Sequence, residues 1–287
     1  MPAGRPGVGA GKSSRLIRPP ARGDFRSMET LRKYGKPPFR VAVVHGGPGA
    51  AGEVAPVARA LADSFGVLEP LQTKASLEGQ IEELRETLEA HADCPVKLVG
   101  HSWGAWLGAL VAARFPALVS KLILVASGPF EEKYAGAVRE TRFKRLNEAE
   151  QAELAQLQMA LEAADGPAAP DLLDKFSRLF EKMDARHPVP GLAEPVAFDK
   201  QINAAVWGEA AELRRTGRLL DRIAEIRCPV TAIHGDYDPH PAQGVQDPLS
   251  RTLKRFTFIL LKNCGHTPWI ERDAREEFYA VLKRELG

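Results

Sequence analysis

The segment GHSWG at residues 100–104 holds Ser102, the residue best placed to act as a nucleophile. An apolar strand is predicted before it at residues 96–100, and a helix after it at residues 103–115. A serine in such a strand-to-helix turn adopts a strained backbone that exposes its hydroxyl, and the flanking glycines leave room for the tight turn. The pentapeptide alone recurs by chance, so its position between strand and helix carries the prediction.

A serine hydroxyl is a weak nucleophile at neutral pH, so it needs a histidine to take its proton and a carboxylate to orient that histidine. His266 follows the last predicted strand, at residues 256–261, and Asp238 follows the strand before it, at residues 229–234. The chain order of serine, acid and histidine suits such a triad. Asp236 is a competing acid that only geometry can exclude.

The segment HGGPG at residues 45–49 ends an earlier predicted strand, at residues 39–45. Acyl transfer needs backbone N–H groups directed at the oxyanion of the tetrahedral intermediate. A glycine-rich loop supplies one such group and the residue after the nucleophile supplies the other, so Gly47 and Trp103 are the predicted donors. Without Ser102, the same loop would be interpreted as an ordinary tight turn.

The elements around these motifs alternate between strand and helix from residue 39 onward, which predicts a parallel sheet covered by helices. Besides the strands already named, short strands are predicted at residues 65–69 and 122–126. The other predicted helices are at residues 53–65, 76–91, near Leu249, and at 272–286. Ser76 is a plausible N-cap of the second of these helices.

The alternation stops between residues 131 and 227, where helical patterns occur at 147–164, 172–183 and 198–226 without a clear strand. A connection of this length is far longer than ordinary loops and usually has a function, such as that of a lid. We therefore predict an α/β core at residues 28–130 and 228–287, with a helical cap inserted at 131–227. Residues 1–27 are predicted to be a disordered basic tail.

The tail accounts for the small net charge of +2, because residues 1–27 contain six basic residues and one acidic residue. The remainder is therefore slightly acidic, which argues against nucleic acid as a partner. Within the tail, the segment GVGAGKS at residues 7–13 looks like a phosphate-binding loop. It lacks the required glycine at Pro6 and the flanking strand and helix, so nucleotide binding is not predicted.

The chain has 287 residues, of which 44% are hydrophobic, as expected for a globular protein. Its three cysteines, Cys94, Cys228 and Cys264, are too scattered for a disulfide framework or a zinc site. No apolar run is long enough to span a membrane, and the N-terminus lacks the apolar stretch of a secretory signal. These features predict a cytoplasmic protein that needs no metal or cofactor.

Taken together, the motifs from residue 39 to the end resemble the α/β-hydrolase family. The HGGPG loop, the GHSWG turn, the G-x-x-D turn at residues 235–238 and the segment GHTPW at residues 265–269 occur in family order. The resemblance implies that Ser102 is the nucleophile, His266 the base and Asp238, rather than Asp236, the acid. It also implies an α/β-hydrolase fold, with a mostly parallel sheet flanked by helices and a helical cap over the site.

These residues predict a serine hydrolase that cleaves an ester, thioester or amide of a small molecule through an acyl-enzyme, with carboxylesterase-like activity preferred. The HGGPG and SWG pair also resembles that of proline iminopeptidases, which need cap acids to bind a free amine. Candidate acids are Glu131, Glu132, Glu194, Glu209 and Glu212, but acids on helices are mostly solvated. A non-catalytic small-molecule binding protein on the same fold is the second alternative, and carbon–carbon bond cleavage, cofactor-free haloperoxidase-like and lyase chemistry also stay open.

The remaining histidines and the cap aromatics receive structural interpretations. His45 and His101 are expected to serve packing and loop geometry, while His240 and Tyr237 are near the acid in sequence. His91, His187 and His234 are expected to have no special role. Four aromatic residues in or beside the cap either line a pocket or simply pack, and their helical spacing favours packing: Phe130, Phe176, Phe180 and Trp207.

Overall fold

The computed structural model describes residues 30–163, 170–193, 196 and 198–287. The predicted tail at residues 1–27, with its phosphate-loop-like segment, lies outside the described residues, and so does the candidate acid Glu194. The fold and the site are therefore described from Thr30 onward.

A seven-stranded sheet forms the centre of the fold, in the order β1-β3-β2-β4-β5-β6-β7. The strands are β1 (Leu31–Tyr34), β2 (Phe39–Val44), β3 (Gly66–Pro70), β4 (Val96–His101), β5 (Val119–Val125), β6 (Val230–Gly235) and β7 (Phe256–Leu261). All neighbouring strands are parallel except β1, which pairs antiparallel with β3. The predicted mostly parallel sheet of an α/β-hydrolase fold is thus confirmed.

Ten α-helices surround or extend this sheet within the described part of the chain. They are α1 (Ala55–Leu61), α2 (Leu77–His91), α3 (Trp103–Arg114), α4 (Ala135–Lys144), α5 (Glu148–Ala163), α6 (Pro170–Asp184), α7 (Lys200–Arg215), α8 (Arg218–Ile223), α9 (Gln243–Thr252) and α10 (Arg275–Leu286). Helix α2 begins as predicted at Ser76, whose hydroxyl accepts a hydrogen bond from the Gly79 N–H at 3.1 Å. Among the described helices, none has the length and apolar character needed to cross a membrane.

Both faces of the sheet are buried, because successive strand residues alternate between two apolar clusters. In β2, Ala42 and Val44 face one cluster, which includes residues of α2, α3, α8 and α9. Val41 and Val43 face the other cluster, which includes residues of α1 and α10. This two-sided burial explains why the inner strands β2, β4, β5 and β6 have mostly apolar sequences.

Five helices, α4 to α8, lie between β5 and β6, in the segment predicted as the cap. A third apolar cluster joins α5 and α6 through residues such as Leu154, Leu157 and Leu179. Helix α8 belongs to a different layer, since its Leu219 and Ile223 are part of the core cluster that contains α3. The domain limits at residues 131 and 227 stay a prediction.

Three features differ from the predicted elements. Strand β1 was not predicted, because its sequence LRKY is short and half charged. Helix α4 is a separate element that the pattern did not resolve. The predicted helix at residues 198–226 is two helices, interrupted at Gly217, whose φ of 77° lies in the left-handed region and ends the right-handed helix before it.

Candidate active site

Ser102 occupies a sharp turn between β4 and α3. Its φ of 50° and ψ of −109° are strained for a residue with a side chain, and its N–H donates to the Val125 carbonyl at 2.9 Å. A Cβ on Gly100 would lie 2.1 Å from the Gly104 carbonyl oxygen, and a Cβ on Gly104 would lie 2.5 Å from the Val44 carbonyl oxygen. Both glycines are therefore required sterically, as the sequence pattern predicts.

The structure brings Ser102, His266 and Asp238 together from the ends of three different strands. The Ser102 Oγ is 3.1 Å from the His266 Nε2. The His266 Nδ1 is 2.9 Å from Asp238 Oδ2 and 3.1 Å from Asp238 Oδ1. His266 and Asp238 are buried, whereas Ser102 is partly exposed.

Asp236 lies apart from this group. It is exposed, and its carboxylate accepts from the Cys264 N–H at 3.3 Å and lies 3.8 Å from the Lys262 Nζ. The geometry thus brings Asp238, and not Asp236, to the imidazole.

Two further histidines, His240 and His234, surround Asp238. The sequence indicated only that His240 is near the acid along the chain, and it indicated no special role for His234. The Nδ1 and the N–H of His240 lie 2.8 and 2.9 Å from Asp238 Oδ1, and its ring stacks on His266 with centroids 4.4 Å apart. The Nε2 of His234 is 2.8 Å from the His240 carbonyl and 3.7 Å from Asp238 Oδ2. The only sequence signal for His240 was its distance of two residues from Asp238.

The ionisation states follow from burial and from these contacts. Burial alone raises the pKa of Asp238, but the neighbouring histidines hold that pKa well below its ordinary value. Burial lowers the pKa of His240 to about 4, despite the charge of Asp238, so this ring is neutral near pH 7. An ionised carboxylate only accepts hydrogen bonds, so the His266 Nδ1 carries the proton and its Nε2 is free to accept from Ser102.

The HGGPG loop lies directly against Ser102, since a Cβ on Gly46 would be 3.1 Å from the Ser102 Cβ. Within the described residues, no hydrogen bond uses the N–H of Gly47. The N–H of Trp103 is at the first position of α3, where a helix offers it no acceptor. Two unused N–H donors are therefore available on either side of the serine.

Helix α7 holds this loop from the other side. The Asp199 N–H donates to the Gly49 carbonyl at 2.9 Å, and the Asn203 side-chain amide donates to the Pro48 carbonyl at 3.0 Å. Gly49 has a φ of 84° and approaches Asp199 so closely that a Cβ would lie 2.4 Å from its carbonyl oxygen. The segment predicted as a cap is thus hydrogen-bonded to the loop beside Ser102.

Glu53 is a functional candidate that the sequence did not single out. Its Oε2 accepts from the Gly46 N–H at 2.7 Å and lies 3.1 Å from the His101 Nδ1. The His101 Nε2 in turn lies 3.0 Å from the His266 carbonyl. Burial raises the pKa of Glu53, but the adjacent His101 outweighs burial and lowers the pKa to about 2. An ionised Glu53 therefore connects the HGGPG loop, through His101, to the His266 backbone.

Replacing Glu53 with glutamine should lower the free energy of unfolding by about 1–3 kcal/mol, because two hydrogen bonds to a charged acceptor are weakened. Urea denaturation measures this change. The control is Glu86→Gln, since Glu86 is exposed and its pairing with Arg85 is a surface contact of little energy. A change no larger than that of the control would contradict the structural role given to Glu53.

Glu271 fixes the loop that carries His266. It is fully buried, and its Oε1 accepts from the Gly265 and Arg186 N–H groups, both at 2.8 Å. Its Oε2 accepts from the His187 N–H at 2.8 Å. The His266 N–H itself donates to the Asp184 carbonyl at 2.8 Å, so the end of α6 supports the His266 loop.

The sequence was also compared with protein families. The model of a family described as alpha/beta hydrolase fold matches residues 9–273. The chain belongs to the α/β-hydrolase family. A comparison with curated proteins found no match.

Solved structures of other α/β-hydrolases share the fold at low sequence identity. VinJ is 20% identical and superposes with a TM-score of 0.64, over 89% of this chain and 93% of that chain. Proline iminopeptidase from Mycobacterium smegmatis is 21% identical, with a TM-score of 0.59 over 89% of this chain and 93% of that chain. A carboxylesterase from Nitrososphaera gargenis is 18% identical, with a TM-score of 0.59 over 88% of this chain and 92% of that chain. At these identities the likeness shows the fold alone.

A cavity of about 460 Å³ in this α/β-hydrolase lies between the helices α4 to α7 and the loops after β5 and β6. Pro129 and His240 form its wall on the side of the sheet. Its apolar lining includes Phe143, Leu154, Phe180, Met183 and Trp207. Thus Phe180 and Trp207 line a cavity, although packing was the favoured expectation, whereas Phe130 is fully buried and Phe176 packs against Phe180.

Within the described residues of the α/β-hydrolase, one group of side chains has the composition of a metal site: Asp238, His240 and His266. The Nδ1 atoms of both rings lie 2.8–3.1 Å from the carboxylate, which is hydrogen-bond distance. A metal ion there would have to displace both hydrogen bonds. The group therefore fits a hydrogen-bonded carboxylate better than a metal centre.

Proposed function

We propose that this chain is a serine hydrolase that cleaves an ester, thioester or amide of a small molecule through an acyl-enzyme, with carboxylesterase-like activity. The observation that carries the proposal is the hydrogen-bonded series from Ser102 through His266 to Asp238. Its 3.1 Å and 2.9 Å contacts lie in the range of a nucleophile, a general base and an orienting carboxylate.

In the proposed acylation, the Ser102 Oγ attacks the carbonyl carbon while its proton passes to the His266 Nε2. The N–H groups of Gly47 and Trp103 donate to the oxyanion of the tetrahedral intermediate. The bond to the leaving group then breaks, and His266 returns the proton to the departing alcohol, thiol or amine.

In the proposed deacylation, water gives a proton to His266 and attacks the acyl-enzyme carbonyl. The same two N–H groups stabilise the second oxyanion. The ester bond to Ser102 then breaks, Ser102 recovers its proton from His266, and the acyl group leaves as a carboxylic acid.

The cavity favours carboxylesterase-like activity over an aminopeptidase. An aminopeptidase needs an acid in the cap to bind the substrate's amine, and no described residue that lines the cavity is acidic. The four described candidate acids have other partners, namely Glu131 with Arg251, Glu132 with Arg214, Glu209 with the Leu77 N–H, and Glu212 with Arg215. A purely binding role would not require Ser102, His266 and Asp238 to be linked by hydrogen bonds, so it is disfavoured.

Rapid mixing with p-nitrophenyl butyrate tests the acyl-enzyme directly. We expect a burst of p-nitrophenol equal to the enzyme concentration and a butyryl mass increment on the peptide that contains Ser102. Proline p-nitroanilide, run in parallel, should turn over at least about 10²-fold more slowly, since no described residue of the cavity wall is an acid that could hold its amine. A faster reaction with the anilide would favour the aminopeptidase instead. The absence of both a burst and turnover would contradict the proposal.

The acid limb of the profile of kcat/KM against pH should lie above pH 6.5. Burial lowers the pKa of His266, but the charge and hydrogen bond of Asp238 outweigh burial and raise this pKa above its ordinary value of 6.5. Since protonated His266 cannot accept the Ser102 proton, activity is lost as the pH falls through this raised pKa. Asp238→Asn should move the limb to lower pH. A limb below pH 6 in the wild type would contradict the assigned pair.

A further inference from the structure

The cavity has an unbalanced set of charged side chains. Among the described residues that line it are three arginines, Arg139, Arg142 and Arg214, and no carboxylate. The other polar lining residues are two glutamines and the neutral His240. A cavity walled by cations and apolar side chains is suited to an anionic, partly apolar ligand.

Arg214 is the most buried of the three arginines, with a side chain that is 11% exposed. Its Nε donates to Glu132 Oε2 at 2.8 Å, and its Cζ lies 5.6 Å from the ring centroid of Trp106. A guanidinium has five N–H donors, and no described acceptor receives a hydrogen bond from the four on its terminal nitrogens. Since Arg214 lines the cavity, these donors are available to a ligand there.

The other two arginines differ in how far they are engaged. Arg142 holds Asp184 with two hydrogen bonds of 2.6 and 2.7 Å, which ties α4 to α6. Arg139, one turn earlier on α4, is exposed and forms no ion pair with any described carboxylate. Arg139 and Arg214 are therefore the arginines with free donors at the cavity.

Three tryptophans lie between the Ser102 turn and Arg214. Trp207 lines the cavity, whereas Trp103 and Trp106 are fully buried beneath it. Trp103, the residue after the nucleophile, meets Trp207 edge-on with centroids 6.4 Å apart. Trp207 stacks on Trp106 at 5.6 Å, and Trp106 carries the Arg214 guanidinium on its ring. On the opposite side, His240 lines the cavity and stacks on His266. The cavity therefore adjoins the residues next to Ser102, through Trp207 against Trp103 and through His240 against His266.

We infer that the substrate carries a carboxylate on the part that fills the cavity, and that Arg214 and Arg139 bind it. The planar guanidinium fork matches a carboxylate with two hydrogen bonds. The apolar lining, which includes Phe180 and Trp207, suits the apolar chain between that carboxylate and the reacting carbonyl. This inference rests on the proposed serine hydrolase function and specifies its substrate class.

The test compares matched pairs of esters in the full-length chain. One pair has the charge in the acyl chain, as mono-p-nitrophenyl adipate against p-nitrophenyl hexanoate. The other has it in the leaving group, as 3-acetoxybenzoate against 3-methylphenyl acetate. In at least one pair, we expect the carboxylate ester to have a kcat/KM about 10-fold or more above that of its neutral partner, as charge-assisted hydrogen bonds imply. The position of the charge in that pair identifies which part of the substrate fills the cavity.

Arg214→Gln should reduce this ratio of kcat/KM values towards 1, and Arg139→Gln should reduce it in the same direction. The ratio within one variant does not depend on how much of the protein is folded. Arg139 forms no ion pair with any described carboxylate, so its replacement breaks no such contact. The matched control is Arg215→Gln, on the same helix, since Arg215 is 62% exposed and pairs with Glu212. This control should keep the wild-type ratio.

Two results overturn the inference, and they are distinguishable. If wild-type protein hydrolyses the neutral ester of each pair as well as the charged one, the carboxylate site is wrong while the serine hydrolase remains. If no ester is hydrolysed and none acylates Ser102, the proposed function itself is wrong.

Discussion

Replacing Ser102 with alanine should reduce kcat/KM for ester hydrolysis by about 10⁵-fold or more, because the acyl-enzyme can no longer form. The free energy of unfolding should change little, since the Ser102 hydroxyl contacts only His266 among the described residues. Steady-state assays with p-nitrophenyl butyrate, together with urea denaturation, measure both effects.

The control for this substitution is Ser120→Ala. Ser120 is at the opposite end of the sheet from Ser102, near the start of β5, and its hydroxyl donates to the Val96 carbonyl at 3.0 Å. We expect the control to retain activity. A Ser102→Ala protein that keeps more than about one hundredth of wild-type activity would contradict the nucleophilic role.

Replacing Asp238 with asparagine should lower kcat by about 10³- to 10⁴-fold, because the amide cannot hold His266 with its proton on Nδ1 or stabilise the imidazolium. The matched control is Asp236→Asn, two residues earlier in the same loop, whose carboxylate is exposed and does not contact His266. The kcat of the control should remain within about threefold of wild type, as is usual for surface substitutions.

A loss of activity in Asp236→Asn that equals the loss in Asp238→Asn would contradict the geometric choice between the two acids. Asp238→Asn also removes the negative charge that accepts the two His240 contacts, so its stability is measured in parallel. Rates are then compared at a temperature where both variants are fully folded.

The central sheet was predictable from the sequence because its strands are buried on both faces. Residues such as Val41 to Val44 must all be apolar when alternate side chains face two different cores. The turns that follow β2, β4, β6 and β7 were predictable for a related reason. Parallel strands end at one edge of the sheet, so motifs at their carboxyl ends converge there.

The edge strand β1 and the supporting carboxylates were not predictable. Strand β1 pairs on one side only, so its sequence does not need to be apolar. Glu53 meets His101 across 48 residues, and Glu271 meets Arg186 across 85. Such contacts leave no local pattern, and a single glutamate in a sequence is ordinarily interpreted as solvated.

The charged residues that line the cavity were also not predictable from the sequence. Arg214 and Arg215 are adjacent in α7, yet one is 11% exposed at the cavity and the other is 62% exposed on the surface. A helical pattern of mixed charges predicts a solvated face for both. Only the packing of α4 to α7 distinguishes them, so the charge of the cavity lining could not be inferred from the sequence.

Labelling with a fluorophosphonate probe, located by mass spectrometry, tests the central claim that Ser102 is an activated nucleophile. The account predicts a single label on Ser102 in the wild type, about 10²-fold or more slower labelling in His266→Gln, and none in Ser102→Ala. Folded wild-type protein that remains unlabelled, or a label on another residue that persists in Ser102→Ala, would contradict it.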